Sequence, residues 1–458
     1  MSARAMLRPV WRTRLAAALA ALVLVVAPSL CLAGPPIQRV VSPGGIEAWL
    51  VEDHSVAVIA MRLAFRGGSA EDPPDRKGLA NMAAGLLDEG AGDLDAQAFR
   101  ADLENNSISL GFDDTRDFFM GHLKTLSANR DLAFDLMGLA VTKPRFDAEP
   151  IDRVRSAILA RLKRQAGDPE FLAGRIWWRN AFPSEPYGWP TDGTLESVSK
   201  IDVADLRGFV GRRLARDNLV IGVVGDITAA DLAPALDRMF GGLPARAQSI
   251  ALEEVRPSAV GNIFVMDRQI PQSVVVFGEA GLKRDDPDYY AAFVMNHILG
   301  GGVFSSRLYK EVREKRGLAY SIYTYLNPLD EAGLIMGNVA TENARVAETI
   351  TTIRDVWRTM AETGATPKEL SEAKSYLTGS FALQFDNTDQ IARLLVSIQL
   401  DHLGIDYIDR RNGIIAAVTL QDVMRVARRV LDAKTLTFSV VGQPRGLPAD
   451  AIVEKNVD

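Results

Sequence analysis

The chain has 458 residues, 47% of them hydrophobic, which is ample for packed cores. Its 52 basic and 58 acidic residues leave a formal charge of −6, an acidic balance that argues against nucleic acid and anionic membrane surfaces as partners.

The first residues carry Arg4, Arg8, Arg12 and Arg14, then 13 apolar residues over 15–27, then the small-x-small stretch Cys31-Leu32-Ala33. That order reads as a secretory signal over 1–33, and the apolar run is too short to span a bilayer. Leu30 stands before Cys31 where a lipid-anchoring signal needs a small residue, so a lipid anchor is not expected. Cleavage after Ala33 leaves 458 − 33 = 425 residues with 48 basic against 58 acidic, a net charge of −10. The single cysteine leaves with the signal, so neither disulfides nor thiolate metal sites are expected in the mature chain. Export without cysteine suits a bacterial periplasm. No later run reaches the ~18 apolar residues of a membrane span.

Length alone points to about three domains of roughly 150 residues, but internal repetition points to two. The stretch 51-VEDHSVAVIAMRLAFRGGSAEDP-73 predicts two short strands, a glycine turn and Asp72-Pro73 before a helix. The stretch 265-VMDRQIPQSVVVFGEAGLKRDDP-287 repeats that order, with Asp286-Pro287 at an offset of 286 − 72 = 214. Between them, 78-GLANMAAGLLDEG-90 predicts a helix, with Asp88-Glu89 as its solvated end. The alternation in 108-ISLGFDDTRDFFMGHL-123 predicts an antiparallel hairpin turning at Asp113-Asp114. The helix predicted over 151–165 follows. Trp177-Trp178 are assigned to core or interface. The helix-then-strand order of 202-DVADLRGFVGRRL-214 and 219-LVIGVVGD-226 returns in 419-TLQDVMRVARRVL-431 and 436-LTFSVVGQ-443. There Asp205 matches Asp422 and Gly225 matches Gly442, both offset by 217. So long a period implies duplicated domains rather than a solenoid. The expected organisation is a signal over 1–33, one domain over 34–244, a polar linker over 245–258 and a second domain over 259–458. Each domain is expected to be α+β, a mostly antiparallel sheet covered by helices on one side.

In the second half, 299-LGGGVFSSRLYKEVREKRGLAYSIYTYL-326, supported by 186–209 and 216–226, resembles the insulinase/pitrilysin-type zinc metallopeptidases. That group includes mitochondrial processing peptidase and small two-domain bacterial relatives, and the resemblance covers nearly all of the mature chain. It implies two homologous α+β domains, usually paired with a second copy around a chamber. The family's zinc motif is H-x-x-E-H on a helix after a Gly-Leu-Ala-like start. Gly78-Leu79-Ala80 sets the register, so the two histidines fall on Asn81 and Gly85 and the glutamate on Ala84. The third ligand, a glutamate some 75 residues further on, falls on Arg161, at 161 − 85 = 76. Arginine stays protonated and cannot ligate zinc.

The remaining histidines, His54, His122, His297 and His402, are isolated in sequence and form no alternative ligand set, so neither a metal nor another cofactor is expected in this chain. Nor does a Ser-His-Asp or Cys-His pattern replace the metal. Active family members take an R-x6-Y pair from the far domain to hold the substrate backbone and the developing oxyanion. Here 313-REKRGLAY-320 supplies Arg313 and Tyr320. Gly300, Gly301 and Gly302 lack the ending of a phosphate-binding loop. They read either as a helix end needing free backbone or as a substrate-contacting loop like that of the non-catalytic subunit of mitochondrial processing peptidase. The resemblance therefore implies a non-catalytic subunit paired in the periplasm with a homologous zinc-bearing peptidase subunit, the zinc lying in the partner and a peptide as substrate. The rival reading is a peptidase-derived scaffold with no proteolytic role.

Overall fold

In the computed structural model residues 36–258, 260–448 and 451–454 are described; the signal segment 1–33, with Cys31, lies outside them. Two six-stranded mixed sheets organise the chain. In the first, β1 (Gln38–Val41), β2 (Glu47–Glu52), β3 (Val58–Arg66), β4 (Ser109–Asp114), β5 (Phe118–Leu126) and β6 (Leu219–Gly225) lie in the order β1-β2-β6-β3-β5-β4. In the second, β7 (Ile263–Asp267), β8 (Gln272–Ala280), β9 (Ala319–Pro328), β10 (Gly333–Glu342), β11 (Thr437–Gly442) and β12 (Ile452–Val453) lie in the order β12-β7-β11-β8-β10-β9. Five strands of each sheet correspond one to one. β2 and β6 pair in parallel, as do β7 and β11, and the other three pairings of that shared block are antiparallel. The α+β plan of two homologous domains holds.

The repeats seen in the sequence have local causes. Asp205 and Asp422 occupy the same place in two capping boxes, each accepting from the backbone of its helix's N-cap residue, Asp202 or Thr419. Gly225 and Gly442 end equivalent strands at φ 131° and 150°. A Cβ at Gly225 would lie 2.0 Å from the Val58 carbonyl oxygen, and one at Gly442 2.3 Å from Ser273 Oγ. Only glycine fits both the backbone angle and the close approach.

Each sheet carries the helices of its own half on one face, and each opposite face receives one helix from the other half. Helix Pro169–Ala181 of the first half packs on β8 and β11, while helix Thr388–Leu400 of the second half packs on β3 and β6. Trp177, fully buried, joins Val276, Met336 and Val441 in the first of these contacts. Leu395 and Ile398 meet Val224 and Ala60 in the second. Central strands such as β11 are thus buried on both faces, which explains their nearly unbroken apolar runs. Polar ties add to this exchange: Arg62 grips Asp389 through two 2.7 Å bonds, and Tyr187 donates to Asp117 at 2.7 Å while accepting from the Glu331 amide at 3.0 Å.

Two local expectations change. The hairpin forms, but Asp113 and Asp114 remain paired in β4 opposite Met120 and Phe119, and the turn falls on Thr115–Asp117. The motif helix ends at Ala84, so Asp88 and Glu89 do not form a solvated helix end. Glu89 is buried, held by Arg153 and by Arg100 at 2.8 Å, and burial pushes the Asp88 carboxyl up to about 6. No helix among the described residues is long and apolar enough to cross a membrane.

Candidate functional site

Two places gather the residues singled out by the sequence. The first lies where helix Leu79–Ala84 meets helix Ala148–Gln165 beneath the end of β4. Asp72 starts the shorter helix, its carboxylate accepting from the Gly78 amide at 3.0 Å and the Ala80 amide at 3.2 Å, with Arg213 Nη1 beside it at 3.1 Å. This start places Asn81, Ala84 and Gly85 on the side facing Arg161. All four line one cavity of about 510 Å³, with Asp113, Asp114, Arg153, Arg164 and Asp192 among the other walls. Four positions, up to 80 residues apart in sequence, thus meet in one pocket.

A polar network fills its floor. Arg161 Nη2 donates to Asn81 Oδ1 at 2.6 Å and to Asp192 Oδ1 at 3.2 Å. Asn81 Nδ2 donates to Asp114 Oδ1 at 2.9 Å, and Gln165 Nε2 to Asp192 Oδ2 at 3.2 Å. Burial pushes the Asp114 carboxyl up to about 6, against the lowering effect of the Asn81 bond. Sequence reasoning missed Asp114, Asp192 and Arg164. Nothing local marks them, because they arrive from a strand end, a loop and a helix that meet only in the folded chain.

The second place is the start of β9, the edge strand of the second sheet. Helical residues Arg307–Tyr309 and Lys310–Glu314 lead into a turn at Gly317 and then into β9. The Arg313 guanidinium lies 4.5 Å from the ring centroid of Tyr320 and 5.0 Å from that of Tyr309, and it donates to the Tyr309 hydroxyl. Tyr320 remains 81% exposed. The structure therefore brings Arg313 and Tyr320 together, with the phenol exposed and without a hydrogen bond among the described residues. Gly300 and Gly301 belong to a helical turn packed on β9, and Gly302 follows it. A Cβ at Gly300 would lie 2.4 Å from Thr324 Oγ1, so close packing on the strand accounts for that glycine. His297, on the same turn, is buried with its ring stacked on Tyr376 at 5.0 Å, and burial lowers its pKa. The two places lie in different halves of the chain.

Residues 48–191 match the model for the insulinase family (peptidase family M16), and residues 200–377 match the peptidase M16 inactive domain. The chain belongs to peptidase family M16. Among its relatives, the M16 chain is 27% identical over 399 residues to the non-peptidase homolog YmxG of Helicobacter pylori, covering 86% of this chain and 91% of that one. It is 26% identical over 415 residues, 89% of each chain, to an uncharacterized zinc protease of Streptomyces coelicolor. Its structure resembles a peptidase M16 inactive domain from Pseudomonas fluorescens with a TM-score of 0.84 and 28% identity, covering 92% of this chain and 100% of that one. A chain of complex III from Candida albicans shares the fold alone, at TM-score 0.74 and 17% identity over 91% of this chain and 98% of that one.

The M16 zinc site can be tested against the residues that stand in its place. Zinc needs imidazole, thiolate or carboxylate donors around an open position. Here the four positions offer a carboxamide already bonded on both sides, a methyl group, a bare backbone and a guanidinium cation. Among the described residues no group of three or more His, Cys, Asp or Glu side chains converges elsewhere. These residues do not fit the metal. The M16 chain is a peptidase-derived, non-catalytic protein.

Proposed function

We propose that this chain is the substrate-binding subunit of a heterodimeric zinc peptidase acting on peptides in the periplasm. It closes against a homologous, zinc-bearing partner and presents Arg313 and Tyr320 to that partner's site. The observation that carries this reading is the pairing at β9: a fixed guanidinium against the ring of an exposed tyrosine whose hydroxyl makes no hydrogen bond among the described residues. A rigid charged fork next to a neutral donor suits a peptide carbonyl and the oxyanion that forms from it. Hydrolysis itself belongs to the partner. Arg313 holds the peptide backbone, and Tyr320 donates to the oxygen on which charge develops.

The test is a one-to-one complex reconstituted with a homologue carrying an intact H-x-x-E-H motif. Tyr320→Phe removes only an exposed hydroxyl, so the melting temperature should hold. Loss of one oxyanion donor should lower kcat by on the order of 10²–10³ with little change in KM. Arg313→Ala should raise KM as well, because positioning is partly ground-state binding. An unchanged cleavage rate for Tyr320→Phe, or full activity of the partner alone, overturns the proposal.

A further inference from the structure

The exchanged helix Thr388–Leu400 also walls a small cleft, together with helices Tyr289–Asn296 and Tyr407–Ala417 of its own half. Two arginines meet there. Arg284, from the loop after β8, donates from Nε to Asp401 Oδ2 at 3.2 Å and from Nη2 to the Tyr290 hydroxyl at 2.9 Å. Its guanidinium lies 4.2 Å from the ring centroid of Tyr289. Arg411, only 8% exposed, gives Nη1 to the Leu377 carbonyl at 3.0 Å and to Asn412 Oδ1 at 3.2 Å, and it lies 4.1 Å from the ring centroid of Phe381. The Tyr407 phenol faces Tyr290 and both guanidinium groups.

Charge does not balance in this cleft. Asp401 is the single carboxylate among its walls, and Arg284 already holds it. Arg411 forms no ion pair among the described residues, and the like charge of Arg284 opposes its own. A guanidinium stays protonated at any working pH, and a charge so deeply buried calls for an anion beside it. The cavity between the two has a volume of about 200 Å³, below the range of about 300–1,000 Å³ for ordinary small-molecule sites, which suits one small ion. Arg284, Arg411, Tyr289 and Tyr407 approach it from separate elements. A carboxylate takes its donors in one plane, whereas a tetrahedral oxyanion turns acceptor oxygens toward donors on several sides. We propose that this cleft binds a small, free oxyanion of the phosphate class between Arg284 and Arg411. The anion then fastens the exchanged helix to the half that lends it. The site stands apart from the Arg313–Tyr320 pair and needs no partner subunit.

Calorimetric titration of the purified chain with inorganic phosphate, at fixed ionic strength in chloride, tests it. Millimolar or tighter binding is expected. Acetate, which is planar, and phenyl phosphate, which is an ester too large for the cavity, should each bind at least about 10-fold more weakly. Arg411→Gln should weaken phosphate by about 10- to 100-fold, the value of one charge-assisted contact. Because Arg411 also bonds neighbouring backbone, Arg284→Lys gives a second reading: it keeps a cation for Asp401, loses the fork, and should weaken phosphate at least about 10-fold. Melting temperature without phosphate is the folding control for both. Arg393→Gln, exposed on the same helix and outside the cleft, should leave binding unchanged. Failure of phosphate to bind, equal binding of acetate or phenyl phosphate, or a folded Arg284→Lys that binds no more weakly than Arg393→Gln would each overturn the proposal. None of these outcomes bears on the heterodimer.

Discussion

Replacing Asn81 by His, Ala84 by Glu and Gly85 by His restores the H-x-x-E-H pattern, yet the triple variant should still take up no stoichiometric zinc. Arg161 is the reason. Its Nη2 lies 2.6 Å from Asn81 Oδ1, so a metal bound by a histidine at position 81 would sit about 4 Å from the guanidinium. At an effective dielectric of about 20, unit charges at about 4 Å interact by about 4 kcal/mol, and a divalent ion doubles this to about 8 kcal/mol of repulsion. Structural zinc sites bind with about 10–16 kcal/mol, so the penalty removes roughly half or more of the affinity, five to six orders of magnitude. Outward rotation of Arg161 that halves the penalty still leaves a loss of about three orders. Position 85 adds crowding, because a Cβ there would lie 3.2 Å from Val154 Cγ1. Elemental analysis after dialysis against a weak chelator is the assay. A companion carrying Arg161→Glu in addition should regain zinc. About one equivalent retained by the triple variant with Arg161 in place would refute the electrostatic argument.

Trp177→Ala should cost about 3–5 kcal/mol in urea denaturation, since a fully buried indole on an exchanged helix leaves a cavity between the halves; a loss below about 1 kcal/mol would mean the exchanged helices add little to stability. Burial raises Asp114 from 3.8 to about 6, so between those values the folded chain keeps a proton that the unfolded chain has lost, and stability falls as pH rises through that window. Asp114→Asn should therefore gain on the order of 1–2 kcal/mol over the parent at pH 7 and nothing below about pH 4, read as the pH dependence of the difference in melting temperature. Gly225→Ala should destabilise the first half by at least about 1–3 kcal/mol, because φ 131° and the Val58 carbonyl oxygen 2.0 Å away both oppose a side chain; an unaltered denaturation midpoint would show that this strand end relaxes freely.

Much of the architecture was legible because it depends on short-range signals repeated twice. Asp205 and Asp422 are helix starts, Gly225 and Gly442 are strand ends, and each acts within a few residues of its own backbone. That Asn81, Ala84 and Gly85 share one side of their helix was legible for the same reason, since Gly78-Leu79-Ala80 sets the helix start and hence which residues line the pocket. The hairpin turn was misplaced by two residues, because Asp113-Asp114 carries a turn-like composition that strand pairing overrode. The polar network of this pocket was decided only by tertiary structure. Asp114, Asn81, Arg161 and Asp192 come from four separate elements, and their partners exist only once those elements meet. The exchange of helices between halves was equally hidden: the apolar face of Pro169–Ala181 announces that it must be buried, but hydrophobicity has no direction and cannot say against which sheet.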